Sequence, residues 1–318
     1  MLKVNLNSLK KQSSAMRESL RELRTNIRFC GDDIRTILFT SVMPNEGKST
    51  VVMDLARSLI GAGNRVLVID SDMRKSVLVG RHKAKREDGK PILGLSHLLS
   101  GQKSLEEVVY QTQHPQLLMI FAGPAVVNPT ELLENKYFSK LVREVRKLFD
   151  YVLIDCAPLG AAIDAAVIAK ECDGAVIVVS QGTVSSKAVL DIKRQLEASK
   201  VRILGAVLNK VNMKKNAYYG KYYGRYYGKY YGKYNGKYYG KEGEMSDSER
   251  AAQYEEKVLS AADLKRASEH IADEVSQNME EATETETKTE TKIETNTRNT
   301  RNRNSRKNKG ISPFKARK

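Results

Sequence analysis

Apolar residues follow two rhythms along the first two thirds of the chain. Over residues 14–28, Leu20, Leu23 and Ile27 recur at helical spacing with charges on the other side, which predicts an amphipathic helix. From residue 36 onward, short continuous apolar runs alternate with helical stretches. The runs Thr36–Thr40, Arg65–Ile69, Leu117–Phe121, Tyr151–Ile154, Ala175–Val179 and Ile203–Leu208 predict strands. Residues 49–62, with Val51, Val52, Leu55, Ala56 and Leu59 on one face, predict a helix, as do residues 136–149 and 185–199. The strands are apolar at nearly every position instead of alternating. That implies burial on both faces, hence an α/β fold with a mainly parallel sheet covered by helices. Polar residues follow the strands at Ser41, Asp70, Asp155 and Asn209. Ligands of open α/β sheets bind at that carboxyl edge, so one shared site is expected.

The rhythm stops near residue 213. Residues 218–241 read YYGKYYGRYYGKYYGKYNGKYYGK, a four-residue repeat holding eleven of the chain's fifteen tyrosines. These are Tyr218, Tyr219, Tyr222, Tyr223, Tyr226, Tyr227, Tyr230, Tyr231, Tyr234, Tyr238 and Tyr239. Glycine at every fourth position opposes both helix and packed strand. Residues 250–279 predict a fluctuating helix, and 280–318, rich in Thr/Glu and then Asn/Arg/Lys, predict disorder. The expected organisation is an N-terminal helical segment (1–34), a globular domain (35–212), a tyrosine cluster (213–241) and a mostly disordered charged tail (242–318).

The formal net charge of +16 raises nucleic acid or an anionic membrane surface as partners. It is blocky, however. Residues 298–318 carry nine Lys/Arg and no acid, whereas 241–292 hold fifteen acids against seven bases. Charge spread over unfolded segments is weak support for a dedicated nucleic-acid site. Cys30, Cys156 and Cys172 form no CxxC pair, which argues against a disulfide framework or zinc site and fits a reducing cytoplasm. No apolar run approaches the ~18 residues of a membrane span, and residues 1–11 lack a signal-peptide core.

The chemistry concentrates in residues 41–50, SVMPNEGKST. Glu46, Gly47, Lys48, Ser49 and Thr50 sit between a predicted strand and a predicted helix, as a phosphate-cradling loop requires. Lys48 would reach the β- and γ-phosphates and the Ser49 hydroxyl would bind magnesium. Asp70 and Asp72 in VLVIDSDMR, with Asp155 in YVLIDCAP, place three carboxylates at the same sheet edge. One such Asp reads as a turn or cap residue. Three beside a phosphate loop favour magnesium, held by Ser49, Asp72 and Asp155 with phosphates and water.

The order of these motifs resembles the bacterial tyrosine kinases known as BY-kinases. Asp70, Asp72 and Arg74 match the family's A-prime motif, and Asp155 with Pro158 matches its Walker B motif. Glu18, Arg21 and Arg24 match its E-x-x-R-x-x-R helix, which the resemblance makes a subunit-ring contact; read alone they are a solvated face with an i,i+3 ion pair. Asn128-Pro129 and Glu131-Leu132-Leu133 match an NPxELL stretch, and Asn209 the position expected to recognise adenine. Asn45 departs from the usual glycine, Val126-Val127 from two prolines, and Ala157 from a proline. Asn tolerates positive φ better than most residues.

The resemblance implies an ATP- and magnesium-dependent protein-tyrosine autokinase, acting in trans on the tyrosine cluster and regulating capsular or exopolysaccharide synthesis and export. Lys48, Asp70, Asp72 and Asp155 would carry catalysis, with Asp70 or Asp72 near the incoming hydroxyl as base. No H-R-D-x-x-x-x-N or D-F-G run of the eukaryotic type occurs. Expected partners are a membrane-anchored activator, other copies in a ring and a cognate tyrosine phosphatase. The expected location is cytoplasmic, at the inner face of the membrane, as for the separate-subunit kinases of Gram-positive bacteria. One alternative is a ParA/MinD-like ATPase, but Val42 stands where those carry a signature lysine. Another is a nucleic-acid binder acting through the Tyr/Gly/Lys and basic tail.

Overall fold

Five of the six continuous apolar runs form the centre of one sheet, and the sixth, Ile203–Asn209, is its partly exposed edge strand. The computed structural model describes residues 1–9, 12–212, 259–274 and 276. Its strands are β1 (Leu2–Leu6), β2 (Thr36–Ser41), β3 (Val66–Asp70), β4 (Ala84–Arg86), β5 (Val109–Gln111), β6 (Leu117–Ile120), β7 (Tyr151–Asp155), β8 (Gly174–Ser180) and β9 (Ile203–Asn209). The helices are α1 (Ser14–Phe29), α2 (Lys48–Ile60), α3 (Leu78–His82), α4 (Leu95–Leu99), α5 (Leu105–Val108), α6 (Pro129–Glu134), α7 (Lys136–Leu148), α8 (Asp164–Ala169) and α9 (Ser186–Ala198). A further helix, α10, runs over 261–274. The strand order is β4-β1-β5-β6-β3-β7-β2-β8-β9, and β6, β3, β7, β2, β8 and β9 run parallel.

The strands are apolar throughout because successive residues enter different layers. Ile37 and Phe39 of β2 and Val66 and Val68 of β3 pack with α1 and α2. Leu38, Leu67 and Ile69 face the layer built from α4, α7, α8 and α9. Helices α7 and α9 start where side chains cap them: Asn135 accepts from the Tyr137 N–H, and Ser185 from the Ala188 N–H.

Two findings depart from the sequence expectation. The N-terminal segment is not only helical: β1 pairs in parallel with β5 and antiparallel with β4, so residues 2–6 extend the sheet. Its alternation, with Val4 and Leu6 buried, is only five residues long, and β4 lies in a charged stretch. Both gain strand conformation from each other, not from local pattern. Strand β5 is antiparallel to β6.

The second departure concerns the expected fluctuating helix at 250–279. Over 261–274 it is a formed helix that begins with a reciprocal cap. The Ser260 hydroxyl and N–H donate to Asp263, and the Asp263 N–H donates back to Ser260. Leu259, Leu264, Ala267 and Ile271 are buried and join the core that contains α7. His270 lies 3.6 Å from the Glu144 carboxylate of α7. A compact unit spans Met1–Ile271, and a second comprises Ala272–Lys318, described only at 272–274 and 276, which are helical. The eleven repeat tyrosines and the basic end lie outside the described residues.

Candidate active site at the strand ends

The phosphate loop leaves β2 at Ser41, whose hydroxyl donates to the Met43 carbonyl at 2.8 Å. Two residues of the loop have left-handed backbone, Asn45 at φ 66° and Gly47 at φ 93°. Asn45 thus fills the conformation a glycine would otherwise take. Helix α2 starts at Lys48 directly after Gly47, with no side-chain cap and no acid in its first turn. Its free N–H groups and dipole favour an anion there. Lys48 and Ser49 are both buried at this helix start.

Glu46, expected among the nucleotide-binding residues, turns its carboxylate inward. It accepts from the Met43 N–H (2.7 Å), the Ser180 N–H (3.1 Å) and the Thr183 hydroxyl (3.3 Å). It therefore fastens the loop to the end of β8. Asn209, at the end of β9, donates its amide to the Glu46 carbonyl at 2.9 Å and accepts from the Lys210 N–H. A Cβ on Gly47 would lie 2.2 Å from the Asn209 amide nitrogen, so the glycine is needed for that approach. The Asn209 amide braces the loop here, and an adenine-recognition role would ask it to exchange these partners.

Asp70 and Asp155 end β3 and β7 and are paired across the strands. Both are almost fully buried. Burial first, and then the neighbouring Asp155, hold Asp70 well above the usual carboxylate range; hydrogen bonds from the Ser76 hydroxyl (2.5 Å) and the Asp72 N–H oppose this. Burial raises Asp155 to about 6 against the opposing pull of Lys48 and a Ser49 hydrogen bond. One Asp155 oxygen, Oδ1, is buried with no hydrogen-bond partner. Asp72 is half-buried and accepts from the Lys75 N–H at 2.9 Å.

No group of three or more His, Cys, Asp or Glu side chains converges as a complete metal cage among the described residues. The orphaned Asp155 oxygen beside Ser49 nevertheless fits magnesium, which is commonly held by one or two protein oxygens, with phosphate and water filling its shell.

Several polar residues here carried no sequence expectation. Asp164, at the start of α8 and 1% exposed, receives Arg74 through two nitrogens (2.7 and 2.9 Å) and the Thr130 hydroxyl (2.7 Å). This ties the A-prime arginine to α6 and α8. The available signal was an acid inside the apolar run AAIDAAVIA, where a charge needs a partner. Arg81 of α3 donates to the Thr50 hydroxyl at 2.8 Å, which brings a cation to the first turn of α2. Glu18 and Arg21, expected from the sequence, form their i,i+3 pair on the outer face of α1, while Arg24 donates to the Ser58 carbonyl of α2.

A mainly parallel sheet, a phosphate loop opening α2, and buried carboxylates at neighbouring strand ends define a P-loop nucleotide-binding protein. Residues 35–205 match the AAA domain family. The tyrosine-protein kinase CpsD of Streptococcus agalactiae is 40% identical over 213 residues, covering 67% of this chain and 91% of that protein. Tyrosine-protein kinase YwqD of Bacillus subtilis strain 168 is 33% identical over 215 residues, covering 67% and 89%. The kinase domain of Escherichia coli tyrosine kinase ETK aligns with a TM-score of 0.56 at 27% identity, covering 64% of this chain and 78% of that one. The chain belongs to the bacterial tyrosine-protein kinase family.

Proposed function

We propose that this chain is an ATP-dependent protein-tyrosine autokinase, acting in trans on its tyrosine cluster and regulating capsular or exopolysaccharide synthesis and export. The observation that carries the reading is the buried Asp70–Asp155 pair beside the phosphate loop. The free N–H groups of α2 and the Lys48 ammonium would hold the phosphates. ATP would supply the phosphoryl group, and magnesium, held by Ser49, Asp155 and Asp72, would neutralise charge developing on it. Ser76 orients Asp70, and the raised proton affinity of Asp70 suits a group that takes a proton from an incoming tyrosine hydroxyl. Positioning and electrostatics supply most of the catalysis in such transfers.

The acceptors are the eleven tyrosines between Tyr218 and Tyr239. Each phosphate adds about −1.5 to −2 charges, so a few reverse the sign of a segment with five nearby Lys/Arg. Self-repulsion of ring-forming copies through such segments would drive dissociation, and high salt should blunt it. Glu18, Arg21 and Arg24 are the proposed ring contacts. No helix among the described residues is long and apolar enough to cross a membrane. A membrane-anchored activator would bring the chain to the inner face of the membrane, and a tyrosine phosphatase would reset it.

The test is to incubate the purified protein with ATP and magnesium, with and without the activator's cytoplasmic end, and to map phosphate by mass spectrometry. Phosphate on several of Tyr218–Tyr239, absent in Lys48→Met, supports the reading. ATP hydrolysis with no modified tyrosine, even with the activator, would overturn it in favour of a partitioning-type ATPase.

A further inference from the structure

A cleft of about 910 Å3 opens beside the A-prime loop, and of its lining residues the mechanism above uses only Ser76. Ser76 is part of its lining, and the same Ser76 hydroxyl donates to Asp70 at 2.5 Å. The cleft therefore adjoins the carboxylate that would face the acceptor. Its apolar lining includes Val79, Ile92 and Pro124, and Val79 is left 37% exposed. Lys85 and Lys90, both exposed, supply cations to it. Arg86 also lines the cleft but is committed elsewhere, to the Asp88 carboxylate and the face of Tyr110. His97 accepts from the Gly94 N–H through Nδ1, so its other nitrogen is left as the donor.

Apolar walls with cations beside them suit an aromatic ring that bears a negative group. An unmodified repeat is a poor fit, because its own Lys and Arg residues repel Lys85 and Lys90. A phosphorylated repeat is a good one, because each phosphate brings about −1.5 to −2 charges on an aryl ring. We propose that this cleft binds phosphotyrosine of the Tyr218–Tyr239 segment of another copy of the chain, holding the product so that a neighbouring tyrosine of that repeat is presented at Asp70. The ring stacks on Val79, Ile92 and Pro124, and the phosphate pairs with Lys85 and Lys90. This deepens the kinase reading and rests on it for the origin of the phosphate. It makes modification of the cluster favour chains that already carry one phosphate.

Binding is tested without ATP, on the full-length dephosphorylated protein. The probe is a fluorescent peptide of sequence YYGKYYGRYYGK carrying none or one phosphotyrosine, read by anisotropy. The phosphorylated peptide is expected to bind at least tenfold more tightly. The double variant Lys85→Glu/Lys90→Glu should abolish that preference, while the same reversal at Lys136 and Lys187 should keep it. Equal binding of the two peptides overturns the proposal. So does equally tight binding of a phosphoserine peptide, or an equal loss in the Lys136/Lys187 control. With ATP present, Lys85→Glu/Lys90→Glu should shift the products from multiply to singly phosphorylated chains. An unchanged distribution would overturn the presentation step. Absence of any phosphotyrosine from the wild-type protein would instead overturn the kinase reading, and the peptide measurement would still decide what the cleft binds.

Discussion

Asp70 and Asp155 stand opposite each other at the ends of paired β3 and β7, both removed from water, and the charge of Asp155 makes Asp70 harder to ionise. A cation bound there would offset that cost. For Asp155 the sign follows from a folded pKa of about 6 against an ordinary 3.8. Folding favours the protonated form, so this group's contribution to stability is full below about 3.8 and is lost as pH rises through about 6. Magnesium needs the ionised form. Magnesium–nucleotide affinity should therefore fall as pH drops through about 6, by up to tenfold per pH unit. Titration with a fluorescent nucleotide from pH 5 to 8 measures it, and a flat profile would contradict the assignment.

Asp155→Asn removes the buried charge while keeping the shape. At pH 8 without nucleotide it should stabilise the fold, by about 1–3 kcal/mol, and abolish phosphoryl transfer. Urea unfolding checks the first outcome and phosphotyrosine detection the second.

Gly47→Ala should abolish nucleotide binding, because a Cβ would meet the Asn209 amide at 2.2 Å on backbone at φ 93°. Adding Asn209→Ala relieves the contact but not the backbone strain. Calorimetric titration with ATP should show only partial recovery in the double variant.

Asp164→Ala leaves Arg74 and Thr130 without their shared acceptor. Arg74 is 41% exposed, which screens the pair, so the expected loss is about 1–3 kcal/mol in urea unfolding. Arg74 lies two residues after Asp72. The turnover rate should therefore fall while the KM for ATP stays nearly constant.

Leu264→Asp places a charge in the contact between α10 and the α7 core. Burying a leucine is worth about 1.5–3 kcal/mol, so α10 should detach while the sheet remains. Hydrogen exchange should become fast at amides 262–271 and stay slow in β2, β3 and β7. Slow exchange at 262–271 in the variant would show that the contact does not hold the helix.

Much of the sheet and the phosphate loop was legible in the residues. Continuous runs such as VLVI and YVLI need two covering layers, and GKST after a strand has one common use. The reciprocal cap Ser260–Asp263 was local chemistry too, yet a cap does not say whether a helix has anything to pack against. Strands β1, β4 and β5 escaped notice because each is only three to five residues long, and β4 is also charged.

By itself the sequence determined the parallel core, the loop at the end of β2, the carboxylates at the ends of β3 and β7, and the tyrosine repeat, since each depends on neighbours along the chain. Tertiary structure alone decided that Glu46 and Asn209 brace the loop, that Asp164 receives Arg74 across 90 residues, and that α10 joins the core. Those outcomes depend on which buried polar or apolar group finds a partner distant in sequence, and no local pattern encodes that choice.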